Sequence, residues 1–192
     1  MNILYDHRDE FSKFIVSLVN SVPIFNGRVE LEKTTISNRS TKAFTLNGIS
    51  DASLKLLGMG KTRKITKENE ETIKEFWRTT SENMPEWQLL LKGDILPNEL
   101  RKNFVNTNTN LLNALGIACR IIIDKHPNDW QIQLRNLKKI NWSRDAPEWD
   151  GRLIINGQMQ KQIIGIELAA NIIIKKWGLS LSPERQVMEA KL

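Results

Sequence analysis

The sequence predicts a mainly α fold: a helical bundle-like domain over residues 1–192 with one short extended segment near 28–45. Three observations carry this. Apolar residues recur at helical spacing in several long stretches. Proline and glycine stand at the ends of those stretches more often than inside them. Little of the chain alternates in the way a half-buried strand does. Forty per cent apolar residues and six Trp supply enough material for a packed core.

The first helix is read over about 7–22. Phe11, Phe14, Ile15, Leu18, Val19 and Val22 fall at i, i+3, i+4, i+7, i+8 and i+11, one stripe of an amphipathic helix. Asp6 is placed to cap it and Pro23 to end it. Arg28 to Lys33 alternates briefly, which suggests a short strand or extended segment. Thr34 to Lys42 is dense in hydroxyls and amides and reads as a loop. Leu46, Ile49, Ala52 and Leu56 turn inward on a helix of about 46–57, stopped by Gly58. A charged helix follows over 67–83, capped by Thr66 and anchored by Ile73, Phe76 and Trp77. Pro85 interrupts, residues 86–95 give no clear pattern, and Pro97 opens a short helix of about 97–105.

The second half continues in the same way. Leu111, Leu112, Leu115, Ala118, Cys119, Ile122 and Ile123 bury one broad side of a helix over about 109–125, closed by Pro127. Trp130, Leu134 and Leu137 stand at i, i+4 and i+7 of a helix over about 129–139. Residues 141–157 read as a loop holding at most one short strand. Met159, Ile163, Ile166, Ala170, Ile173 and Trp177 then keep heptad-like spacing over 158–177. Ile164, Leu168, Ile172 and Ile174 widen that stripe into what a central core helix needs, and Gly178 suits its end. Ser182-Pro-Glu184 opens a final short helix. A weak seam is expected at 58–66, a flexible basic stretch.

Chemistry leaves few marks. Gly58-Met-Gly-Lys-Thr62 ends like a phosphate loop, but position 55 is Lys and the preceding segment is helical. A helix C-cap and basic linker is the better reading. Cys119 and His126 are seven residues apart, about 10 Å of helical rise, too far for direct proton transfer. Glu68, Glu70, Glu71 and Glu75 lie on the most polar helix and read as a solvated face. Asp145, Glu148 and Asp150 are loop acids. No enzyme activity, cofactor or metal is expected. With one cysteine, no signal-peptide pattern and no long apolar run, a cytoplasmic protein without a membrane partner is expected.

The charge is informative. The net charge is +6, and residues 97–192 carry +5 of it. Arg135, Lys138 and Lys139 would share one side of the helix over 129–139, and Arg144 follows with no acid anywhere in 130–144. Cations displayed on a packed support suit DNA phosphates, as they also suit plain solvation. Arg39 and Lys42, among hydroxyls and amides, form a second candidate phosphate-contacting group, and Arg152 a further one.

Three stretches carry a family resemblance. They are Val22-Pro-Ile-Phe-Asn-Gly-Arg28 through Leu46 with Leu56-Leu-Gly58; Leu100-Arg-Lys102 with Leu111 to Gly116; and Ile140-Asn-Trp-Ser-Arg-Asp-Ala-Pro-Glu-Trp-Asp-Gly-Arg152 with the helix beyond it and Leu179 to Glu184. In order and spacing they resemble the C-terminal part of the DndB family. The resemblance implies a regulator of DNA phosphorothioation, the replacement of a non-bridging phosphate oxygen by sulfur. It implies a repressor-type protein accessory to that chemistry, with promoter duplex DNA and other DNA-modification proteins as partners. The DGQHR-type motif of the family's N-terminal domain is not found here; Asn156-Gly-Gln-Met-Gln160 only echoes it. The alternative is an interaction or homo-oligomerisation module using the 158–177 stripe and exposed Trp142 and Trp149. Salt separates the two, because phosphate binding weakens steeply with ionic strength.

Overall fold

The computed structural model describes residues 9–60, 64–160 and 162–192. The fold is mainly α. Helix α1 (Glu10–Ser21) is capped by Asp9, whose carboxylate accepts from the Ser12 amide at 3.2 Å. The expected cap, Asp6, lies outside the described residues. Strands β1 (Val29–Glu30) and β2 (Phe44–Thr45) pair in parallel, Val29 opposite Phe44, and the loop 31–43 swings out between them. Phe44 meets Trp87 and Phe25 edge-on, at 5.0 and 5.1 Å between ring centroids, so the short sheet is pinned by aromatic packing.

Helix α2 (Leu46–Leu56) follows β2 directly and ends at Gly58, at φ 64°. The Met59 amide donates to Leu54 and the Gly58 amide to Lys55, a Schellman cap. The glycine-rich string is therefore a helix stop over Gly58–Gly60; Lys61 and Thr62 lie outside the described residues. Helix α3 (Lys67–Asn83) has a reciprocal capping box between Thr66 and Asn69. Pro85, read as an interruption, is the first residue of α4 (Pro85–Lys92), where its missing N–H costs nothing. Helix α5 (Pro97–Asn103) leads to α6 (Thr109–Lys125).

Helices α2 and α6 form the most extensive helix pair. Ala52 lies against Gly116, and Gly48 against Thr109 and Leu112. Each contact joins residues about 64 apart in sequence, so the two helices run parallel, starting at the same end. A Cβ on Gly116 would overlap the Ala52 carbonyl oxygen. The helices cross where only hydrogen fits between them. Around this pair one apolar cluster extends from Phe11 to Trp177 and includes fully buried Trp77, Trp87, Trp142 and Trp149.

Three expectations in the second half need correction. The helix over 129–139 is a single α turn, α7 (Trp130–Gln133), followed by a 3-10 segment, Leu134–Lys139. The helix over 158–177 is shorter: α8 is Ile163–Lys176. Before it, Ile154–Ile155 (β3) and Gln158–Met159 (β4) form an antiparallel hairpin around Asn156-Gly157, both at positive φ. That dipeptide is the strongest short hairpin signal, and it outweighs the helical spacing of Met159. Ile163, read as part of the buried stripe, is 78% exposed; burial on α8 begins further along, at Gly165, and is continuous from Leu168 to Ile174. Trp142 and Trp149 are not surface groups. They stack at 5.6 Å with their planes 16° apart, and their indole N–H groups donate to Leu137 and Asn141 carbonyls.

The close crossing makes a testable demand. Gly116→Ala is expected to cost about 1–3 kcal/mol by forcing two packed helices apart. Urea unfolding should show a lower midpoint at unchanged slope. A variant as stable as the parent would mean the helices do not meet there.

Candidate functional site: a cationic cleft at two helix starts

Because α2 and α6 run parallel, their N-termini open side by side. Thr45 caps α2 by accepting from the Gly48 amide at 3.1 Å, and Asn108 caps α6 by accepting from the Asn110 amide at 2.9 Å. The Thr45 and Thr109 hydroxyls are 3.1 Å apart and link the two starts. Each helix start carries about half a positive charge. Helices α1, α3 and α4 place an acid in the first turn; α2 and α6 place none.

In front of these starts lies a cleft of about 410 Å³. The polar loop supplies one wall through Thr34, Thr35 and Ile36, and α5 supplies another through Arg101 and Phe104. Arg144 and the β4 strand end, Met159 and Gln160, complete it. The Asn110 amide group donates to the Gln160 carbonyl and ties that strand end to α6. Among the described residues lining the cleft there is no carboxylate.

Arg101 organises the loop wall. Its guanidinium donates to the carbonyls of Ser37 at 2.8 Å, Ser40 at 3.2 Å, Asn38 at 3.3 Å, and Lys42. Burial lowers its pKa from the ordinary arginine range, with no carboxylate among the described residues to offset the cost. The planar five-donor fork is what lets one side chain hold four carbonyls. Nothing local in the sequence marks this role, because its partners are 59–64 residues away. Its signal is its place in Leu100-Arg-Lys102, one of the stretches that carry the family resemblance.

The seven cations selected from sequence fall into separate places. Arg144 lines the cleft, and its guanidinium has no hydrogen-bond or ion-pair partner among the described residues. Its backbone is fixed by a bond from its amide to the Asn103 carbonyl at 2.9 Å. Arg39 is exposed on the loop that forms the cleft wall. Lys42 donates to the Gly27 carbonyl at 2.8 Å and anchors that loop to the β1 side. Arg135, Lys138 and Lys139 are all exposed on the 3-10 segment, which packs on α3. At three residues per turn, Arg135 and Lys138 are in line and Lys139 is about 120° round from them. They do not share the single face that an α-helix would give.

Arg152 is committed elsewhere. It bonds Glu189 of the last helix, α9 (Pro183–Glu189), at 2.9 Å and is only 17% exposed. Lys175 at 2.8 Å and the Asn171 amide at 3.1 Å complete the shell of that carboxylate. Burial pushes the Glu189 pKa up, but the bonds from Lys175, Asn171 and Arg152 outweigh it and leave the carboxyl below its ordinary value. Cys119 is fully buried, and desolvation pushes its pKa well up, away from reactivity.

Fold and site together define a class: a helical protein with a cationic cleft, free of acids in its described lining, at paired helix starts. The family is specific. The model for DndB, described as DNA-sulfur modification-associated, matches residues 1–180, and the chain belongs to that family. Membership connects it with DNA sulfur modification. No curated protein and no solved structure matches it. Among the described residues, no helix is long and apolar enough to cross a membrane.

Two outcomes follow from these contacts. Arg101→Lys keeps the charge but loses the fork, so amide hydrogen exchange across 37–42 should speed up markedly while α6 stays protected. Unchanged protection would remove Arg101 as the organiser. Glu189 has a lowered folded pKa, so its contribution is present at neutral pH and is lost as pH falls through the carboxylate range. Stability followed from neutral to acid pH should lose this component in the parent; in Glu189→Gln the component should be absent at every pH.

Proposed function

We propose that the protein is an accessory regulatory component of a DNA sulfur-modification system, of the transcriptional repressor type, that holds duplex DNA by its phosphates. One observation carries the reading most. In a family associated with this modification, Arg144 and the exposed Arg39 stand in and beside an acid-free cleft wall with no carboxylate partner among the described residues. Phosphate oxygens are the natural acceptors for such cations. Arg135, Lys138 and Lys139 make no ion pair among the described residues and supply a second contact group, splayed around the 3-10 segment. Lys42 acts mainly by holding the loop, and Arg152 is left out because Glu189 occupies it.

In this reading the protein binds and does not catalyse. Its one thiol is sealed in the core. The alternative of a protein-interaction module loses part of its stated surface, since Trp142 and Trp149 are fully buried, and keeps exposed Ile163 and Ile164 at the start of α8.

Fluorescence anisotropy with a labelled promoter duplex from a modification operon tests the proposal. Affinity should fall steeply with salt, and each phosphate contact removed should lower the log–log slope by about 0.9. Arg39→Ala/Arg144→Ala and Arg135→Ala/Lys138→Ala/Lys139→Ala should each weaken binding uniformly across sequences. No binding at low salt by the folded parent would sink the proposal.

A further inference from the structure

The floor of the cleft does something that surface cations do not require. We propose that it is a site for one phosphate group of a nucleotide-sized ligand, either a free mononucleotide or a nucleotide within a nucleic-acid strand.

The argument begins with what the site lacks. Two parallel helices bring like dipole ends together, an arrangement that raises the local positive potential. Helices α1, α3, α4, α5 and α9 carry a first-turn acid that relieves this; α2 and α6, like α7 and α8, carry none. At the opposite end of the pair the charge is matched: Arg120 donates to the Leu57 carbonyl at 3.2 Å, a cation at the C-terminus of α2. At the N-terminal end no described residue lining the cleft is an acid, the one acid of α2, Asp51, accepting from the Asn47 side-chain amide at 2.9 Å behind it, and Arg101 and Arg144 add positive charge.

Donors are available there. First-turn amides not taken by a cap, those of Asn47, Thr109 and Leu111, have no acceptor within their helices. Thr107 is a separate indication. It is only 7% exposed, it lines the cleft, and its hydroxyl has no hydrogen-bond partner among the described residues. A hydroxyl on a nearly buried side chain usually finds a partner; one left without a partner in the lining of a cationic cleft can donate to an acceptor there. The Arg144 guanidinium is likewise unpaired among the described residues.

Size and walls set the ligand class. About 410 Å³ is far more than one phosphate needs. Phe104 and Met159 offer apolar surface beside the polar floor, which suits a base or a sugar face. The inference shares Arg144 with the DNA reading, whose other contacts are exposed Arg39 and the cations of the 3-10 segment.

The test is an amide-resolved NMR titration of the full chain with inorganic phosphate, adenosine monophosphate and a short single-stranded oligonucleotide in turn. Saturable shifts confined to residues near 45–48 and 107–111 are expected. Arg144→Gln should weaken binding about tenfold or more, because it removes a charged donor. Thr107→Val, close in shape, should weaken it a few-fold while leaving the rest of the spectrum unchanged. Tighter binding of the monophosphate than of the oligonucleotide would assign a free nucleotide; the reverse would assign a strand. Absence of saturable shifts with all three probes overturns the proposal, as do shifts indifferent to Arg144→Gln. The Arg135→Ala/Lys138→Ala/Lys139→Ala protein separates the two readings: it should lose duplex affinity yet keep phosphate binding.

Discussion

Everything in the site depends on the contact between Gly116 and the Ala52 carbonyl. Interhelical distance is set by the bulkiest group at the crossing, and here one helix offers only hydrogen. That permits α2 and α6 to lie parallel and close enough for the Thr45 and Thr109 hydroxyls to meet at their starts. Spread the pair by a side chain, and the two caps part, the dipoles separate and the cleft loses its floor. A packing constraint one or two turns inside the protein therefore sets the electrostatics of its surface.

The rest of the cleft is assembled from distant pieces. Loop 31–43 comes from between two paired strands, Arg101 from α5, and Arg144 from the stretch that follows the 3-10 segment. Trp142, two residues before Arg144, is buried against Trp149 and accepts at its carbonyl from the Val105 amide at 2.9 Å. The tryptophans thus work as ballast for a charged group. Their burial is what allows a loop with little regular structure to present an arginine at a fixed place.

Much of the helical frame was legible in the sequence. Thr66 and Ser182 cap where side-chain oxygens precede a helical run, and Gly58 stops α2 as its spacing suggests. What misled was periodicity where turn chemistry was stronger. Met159 fits a helical stripe, but Asn156-Gly157 commits the chain to a hairpin first. Leu134 and Leu137 are buried in a 3-10 segment as readily as in an α-helix, because three-residue spacing serves both. Of the site, Arg39 and Lys42 could be picked out as cations among hydroxyls and amides, and Arg144 as the last residue of the acid-free stretch 130–144. Arg101, Thr107 and the joined helix starts could not, since each acquires its role from residues far away in sequence.

Among the described residues, the Arg101 guanidinium donates only to main-chain oxygens of the polar loop. Every residue type carries that oxygen in the same position. Much of the loop's shape is therefore stored outside the loop, in one side chain of another helix, with Ser40 and Lys42 adding a bond each from within. Such an arrangement lets Ser37, Asn38, Arg39 and Thr41 change their chemistry, one residue at a time, while the backbone curve that walls the cleft stays as it is.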